Sequence, residues 1–353
     1  MEFGMQFFPD VGPDLKSGAE YWADCLALVD LADEYGFSHV RTVEHYFQPY
    51  GGYSPNPHVF LSAAAMRSKK ARLVTGAVLP IFNNPLKIAG EIGMLDAISD
   101  GRMECGFARA FLPVEFEIFK RSFDESKARF AEGIEQVRRL LEDENVTMDG
   151  EFNSFAGVTS LPRPTQKPRP PFWVAALITP DSFANAGRLG HDVMAIPLTG
   201  GMMNELIQTY RQARAEAGHE GPGRVMLAHH LFCHEDQTKA IDIAREPLNR
   251  YLKSLVDAAS LWMEGTSSAD YPGYDKIIAM LAKETIETQI EKSAAFIGPP
   301  EKLVDQIAEY QEITGGFEIA SMQVNFNDLP LEEAIGSVRL FGEKVIPKLA
   351  GHV

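Results

Sequence analysis

"ARLVTGAVLPIFNNPLKIAGEIGMLDAISDGRMECGFA", residues 71–108, shows the unit from which the chain is built. A short apolar, β-branched run (71–80) is followed by a segment of helical spacing (85–98) and then by a second apolar run (103–108). Two strands separated by a helix predict a parallel pair, since parallel neighbours need a long crossover that a hairpin cannot supply. The same alternation extends in both directions. "FGMQFF" (3–8) and "VRTVEH" (40–45) precede it, and "FWVAAL" (172–177), "DVMAIP" (192–197), "VMLAHHLFC" (225–233) and "IASMQVNF" (319–326) follow. Helical patterns occupy 20–36, 57–68, 124–143, 181–189, 201–217, 237–256 and 300–314, and one at 330–349 closes the chain. Eight strands, each followed by a helix, is the count of a (β/α)8 TIM barrel, an α/β fold. A doubly wound open sheet would place a glycine-rich turn after the first strand, where this chain has "PDVGPD".

Two stretches interrupt the alternation, and barrel strands are needed from both sides of each. The chain therefore reads as a single TIM-barrel domain over 1–353 with insertions at about 144–171 and 257–298. The first is proline-rich, with a small hairpin expected around "EFNSFAGVTSLP" (151–162). The second carries helical pieces and the loop "EGTSSADYPGYD" (264–275), and its length suggests a lid over a pocket.

Composition narrows the function. With 45% hydrophobic and 23% charged residues the chain belongs among ordinary globular proteins. Its 49 acidic and 33 basic residues give a net charge of -16, which repels a phosphate backbone, so no nucleic-acid partner is expected. No signal-peptide pattern and no long apolar run occurs, which predicts a cytoplasmic protein with no membrane association. Cys25, Cys105 and Cys233 lie far apart in apolar runs, as buried thiols in a reducing compartment do, rather than as disulfides or a zinc site. No metal-ligand spacing is present.

A barrel of this kind places its chemistry at the C-terminal ends of the strands. There the chain has Glu44, His45, Asn83, Asn84, Arg109 and "LITPDS" (177–182). Histidine titrates near neutral pH and suits proton transfer, although a lone histidine at a strand end, such as His45, is more often a hydrogen-bonded structural residue. Neighbours on a strand point to opposite sides, so no direct bond between Glu44 and His45 is expected. Thr179 as helix cap, Pro180 at the first helical position and Ser182 beyond it would form a phosphate-binding helix start, with Arg109 a cation at the same mouth; any capped helix shows the same signature. His229, His230 and His234 are weaker candidates, because adjacent histidines face apart and cannot chelate one ion.

Four stretches, in order along nearly the whole chain, resemble the bacterial luciferase-like, flavin-dependent monooxygenases. They are "VEHYFQPYGGYSPNP" (43–57), "VTGAVLPIFNNPLKIAGEIGMLDAISDGRMECGFARA" (74–110), "FWVAALITPDSFANAGRLG" (172–190) and "GPPEKLVDQIAEYQEITGGFE" (298–318). The first is most similar to the branch that works in bacterial secondary metabolism. The resemblance implies reduced FMN, supplied by a separate flavin reductase, which reacts with O2 to a C4a-hydroperoxide and oxygenates a small-molecule substrate. It also implies packing as a homodimer. His45 then matches the active-site histidine, and Glu44 the acid before it, used structurally near the subunit interface. Gly76 and Ala77 match the strip against the isoalloxazine ring, where the family often has a non-prolyl cis peptide. Arg109 and Arg129 match basic positions at the flavin phosphate or ring edge, and Ala176, Leu177 and Ser182 match the phosphate turn.

Two departures weaken luciferase activity itself. Ala108 replaces the reactive cysteine of luciferase, and Ala176 and Leu177 stand where luciferase has an acid and a serine. Phosphate binding would then rest on backbone N–H groups, Ser182 and the arginines. The alternatives are a deazaflavin (F420)-dependent oxidoreductase on the same barrel and a non-catalytic flavin-binding partner subunit. Phe8, Phe47, Tyr50, Phe82, Phe111 and the second insertion are expected to line the mouth, which suits an apolar or carrier-bound substrate.

Overall fold

A computed structural model describes residues 1–350 of the chain. Its strands are β1 (Glu2–Phe7), β2 (His39–Thr42), β3 (Arg72–Thr75), β4 (Met103–Phe107), β5 (Val146–Asp149), β6 (Ser154–Val158), β7 (Phe172–Ala175), β8 (Asp192–Ala195), β9 (Val225–Cys233), β10 (Ala295–Gly298) and β11 (Ile319–Asn325). Parallel pairing runs β1-β2-β3-β4-β7-β8-β9-β11 and returns to β1, closing a barrel of the eight expected strands. β10, inside the second insertion, pairs with His230–Cys233 at the upper end of β9; four residues, "AFIG", give too short a run to separate from their surroundings. The antiparallel β5–β6 hairpin starts before the stretch in which it was expected, because its turn, not its first strand, falls at 150–153.

Local sequence explains where the crossover helices begin. Asn56 and Asn84 each accept the backbone N–H two residues on, at 2.9 Å, and each is followed by proline at the first helical position. Ser17 and Glu20 form a capping box for the helix Gly18–Val29, which ends earlier than its periodicity predicts. Inside the barrel, Val74, Ala77, Trp173, Met194, Met226 and Ile319 pack into one cluster, and a larger apolar layer fills the space between strands and helices. The three cysteines are buried, and burial pushes Cys25 and Cys233 up to about 12, so both remain protonated thiols. Among the described residues no helix is long and apolar enough to cross a membrane, and no group of His, Cys, Asp and Glu is arranged to hold a metal ion.

Candidate active site

The interior of a TIM barrel is normally filled by layers of bulky branched side chains. At the C-terminal mouth of this one the residues are small: Gly76 and Ala77 after β3, Ala108 after β4, Ala175 and Ala176 at the end of β7, and Ala228 on β9. Ala108 and Ala175 pack on the interior cluster, yet they and Ala228 keep partly accessible surface. The Gly76-Ala77 peptide bond is cis, as the resemblance implies. Gly76 cannot be replaced without displacement, since a Cβ there would lie 1.9 Å from Arg41 Nε.

Beyond β2 the chain turns outward, and the neighbours Glu44 and His45 diverge as their positions predict. Nδ1 of His45 lies 3.0 Å from Oε1 of Glu115, which also accepts the Tyr46 backbone N–H at 2.8 Å. A carboxylate only accepts, so Nδ1 carries the hydrogen and Nε2 is the ring atom left to take or give a proton. Gly51, at φ 80°, lies so close to His45 that a Cβ there would be 2.4 Å from the histidine Cβ. The rings of Phe8, Tyr50 and Phe111 stand 5.5, 5.6 and 6.1 Å from the imidazole.

Glu44 takes a different set of partners. It accepts Tyr46 Oη at 2.5 Å, Asn83 Nδ2 at 2.7 Å and the Leu79 N–H at 3.1 Å. Burial pushes its carboxyl up to about 7, against the pull of these three donors. It thus ties the β2 loop to the β3 loop. Asn83 and Asn84, expected at the mouth, are spent on this tie and on the helix cap.

Arg109 reaches into the second insertion. Both terminal nitrogens donate to the Asp270 carbonyl at 3.2 Å, and the guanidinium lies 4.6 Å from the Tyr271 ring centre. Tyr271 Oη donates to Ala110 O and Trp262 Nε1 to Phe111 O, so the insertion covers the β4 loop as a lid would. Ala110 is held there at φ 66°, a conformation disfavoured for a residue with a side chain. Thr179 occupies the cap position with Pro180 next, but its hydroxyl pairs with Ser182 Oγ at 2.6 Å instead of capping the backbone. Arg129 donates to Glu125 and lies over the Phe152 ring of the hairpin. Among the described contacts, none joins Arg109 or Arg129 to Ala176, Leu177 or Ser182.

Several functional candidates were not singled out by sequence. Glu115 sits in the short helix Pro113–Ile118, and its signal is an acid within the apolar run "FLPVEFEIF". Tyr251, on the helix Gln237–Ala258, places its ring 5.7 Å from Phe8, 5.9 Å from Tyr50 and 4.6 Å from His230. Helical spacing alone assigns it to packing. Phe47 and Phe82, expected in the mouth, instead gather with Tyr46 around Phe119, and Phe47 is 55% exposed.

This barrel, with a histidine held by a buried acid beside a cis glycine step, has the layout of an oxidoreductase of the luciferase-like class. A family model described as luciferase-like monooxygenase matches residues 1–315, and the chain belongs to that family. Its sequence is 26% identical over 321 residues to the oxygenase component of the flavin-dependent trigonelline monooxygenase of Acinetobacter baylyi, covering 88% of this chain and 86% of that one. The crystal structure of monooxygenase RslO1 from Streptomyces bottropensis superposes with a TM-score of 0.88 at 40% identity, covering 99% of this chain and 100% of that one. The oxygenating constituent of 3,6-diketocamphane monooxygenase from Pseudomonas putida, solved with FMN, has the same fold at a TM-score of 0.83 and 21% identity, covering 99% and 98%.

Proposed function

We propose that the chain is the oxygenase component of a two-component, FMN-dependent monooxygenase acting on a small organic substrate, apolar or carrier-bound. One observation carries the reading: His45, its Nδ1 engaged by Glu115, shares a rim with the cis Gly76-Ala77 step and its small neighbours. Those residues fit a flat ring system, because the alanines project little from the walls and Ala108, Ala175 and Ala228 keep accessible surface at the mouth. Gly76 and Ala77 would hold the ring, Ala176, Leu177 and Ser182 the phosphate, and Arg109 and Arg129 the phosphate or the ring edge. Reduced FMN, when bound, would supply two electrons to O2, so that one oxygen atom enters the substrate and the other leaves as water.

His45 holds or moves a proton at Nε2. Glu115 fixes its ring, and Phe8, Tyr50 and Phe111 shield it from water. A flavin reductase supplies the cofactor, and two copies of the chain form the working enzyme. The trigonelline relative, named as an oxygenase component, supports the reductase partner.

Anaerobic titration with reduced FMN and with a reduced deazaflavin, followed by oxygen uptake, tests the assignment. FMN binding with substrate-dependent uptake is expected; binding of the deazaflavin alone would move the protein to the oxidoreductase alternative, and binding without uptake to the partner-subunit alternative. His45→Ala is expected to retain flavin and to lose about 100-fold in product formation. Unchanged turnover in that variant would remove His45 from the chemistry.

A further inference from the structure

One buried cation in the barrel has no place in the roles assigned so far. Arg41 is 7% exposed and extends from β2 across the bore, where Nη1 donates to Gln6 Oε1, Nη2 donates to the Gly76 carbonyl at 3.1 Å, and Nη2 lies 3.4 Å from Met194 Sδ. All three partners are neutral, and among the described residues no carboxylate pairs with it. Its Nε is buried without a partner and fills the place where a side chain on Gly76 would stand. Strand register continues the polar row, with Gln6 opposite Arg41, Gln323 opposite Gln6, and His230 opposite Gln323. Gln323, 1% exposed, leaves Oε1 unpaired, and His230 leaves Nε2 unpaired. A barrel interior is usually apolar, and a buried charge without a counter-charge is unfavourable until an anion arrives.

We propose that Arg41 is the counter-charge for the reduced flavin, selecting the anionic reduced cofactor over the oxidised one through the Gly76 step. The inference rests on the flavin reading above and adds to it the residue that sets redox preference. The oxidised ring is neutral, whereas the reduced ring is a weak acid whose conjugate base holds its charge along one edge. A fixed cation bound to the Gly76 carbonyl would therefore favour the reduced form and raise the potential of the bound couple.

Gln6→Glu is the sharpest test. The side chain keeps its shape and its hydrogen bond to Arg41 but supplies the missing negative charge within the bore, so the fold is retained. In wild type, reduced FMN is expected to bind at least tenfold more tightly than oxidised FMN, as measured by anaerobic fluorescence titration and by the midpoint potential of bound flavin. Gln6→Glu should lower that ratio about tenfold, a shift of roughly 30 mV for a two-electron couple. Arg41→Met should do the same, and Arg41→Lys should restore most of the preference. Equal affinity of wild type for both redox states, or an unchanged ratio in Gln6→Glu, overturns the proposal. Failure of wild type to bind FMN in either state would instead overturn the flavin reading beneath it.

Discussion

The two ends of the barrel bore treat buried charge in opposite ways. At the N-terminal end, Glu104 accepts Trp173 Nε1 at 2.6 Å and lies 3.1 Å from both Arg72 Nε and Arg224 Nη1. Arg224 in turn pairs with Asp192 at 2.7 Å and stacks over the Trp173 ring. Each charge there has an opposite charge beside it. At the C-terminal end, Arg41 is held by neutral acceptors, Glu44 by neutral donors, and Glu115 Oε2 is buried without a partner. A region built for stability matches its charges, while a region built to receive a ligand keeps groups in waiting.

The comparison breaks first at Glu104. Glu104→Gln leaves Arg72 with Glu2 and Arg224 with Asp192 as their remaining counter-charges at the closed end. Loss of one partner from a buried pair costs about 3–5 kcal/mol, and the partial exposure of both arginines together with their remaining partners reduces this to about 2 kcal/mol. Urea unfolding should show that loss as a lower midpoint, with flavin affinity unchanged. A variant that unfolds like wild type would mean that the closed end is not where stability resides.

Glu115 sharpens the other half. In Glu115→Gln the amide oxygen still accepts the Tyr46 N–H, but the charge that fixes the His45 ring is gone. Turnover should fall about tenfold, or 1.4 kcal/mol, with the pH profile of kcat/KM displaced and flavin binding retained. A purely structural role would leave that profile in place.

The barrel was legible in the sequence because its eight strands are short apolar runs separated by capped helices, and Asn-Pro starts such as Asn84 and Pro85 mark the boundaries. His45 was legible because it sits at a strand end. Glu115, Tyr251 and Arg41 were not, each for a physical reason. Glu115 meets His45 across seventy positions of chain, and no local periodicity records such a meeting. Tyr251 lies on a helix whose apolar spacing also serves the core. Arg41 stands in a strand that reads as ordinary alternation, and only closure of the barrel reveals that its side chain spans the bore to Met194.

Glu44 gives the smallest effect and the finest test of unmatched charge at the open end. Burial raises its carboxyl to about 7, so the folded protein holds the proton where the unfolded chain, near 4.5, has released it. Between about pH 4.5 and 7 the folded state thus binds more protons, and stability falls as pH rises through that window. Asp10, raised to about 7 by the same cause, adds a parallel loss that a change at Glu44 leaves untouched. Glu44→Gln should be less stable than wild type at low pH, because its amide nitrogen would meet one of the donors that the carboxyl accepts. It has no proton to lose, so the gap between the two proteins should narrow by about 1 kcal/mol from pH 5 to pH 6, as read from urea midpoints. A gap that stays constant would show Glu44 ionised throughout, its three donors outweighing burial, and the open end would then resemble the closed one at this position.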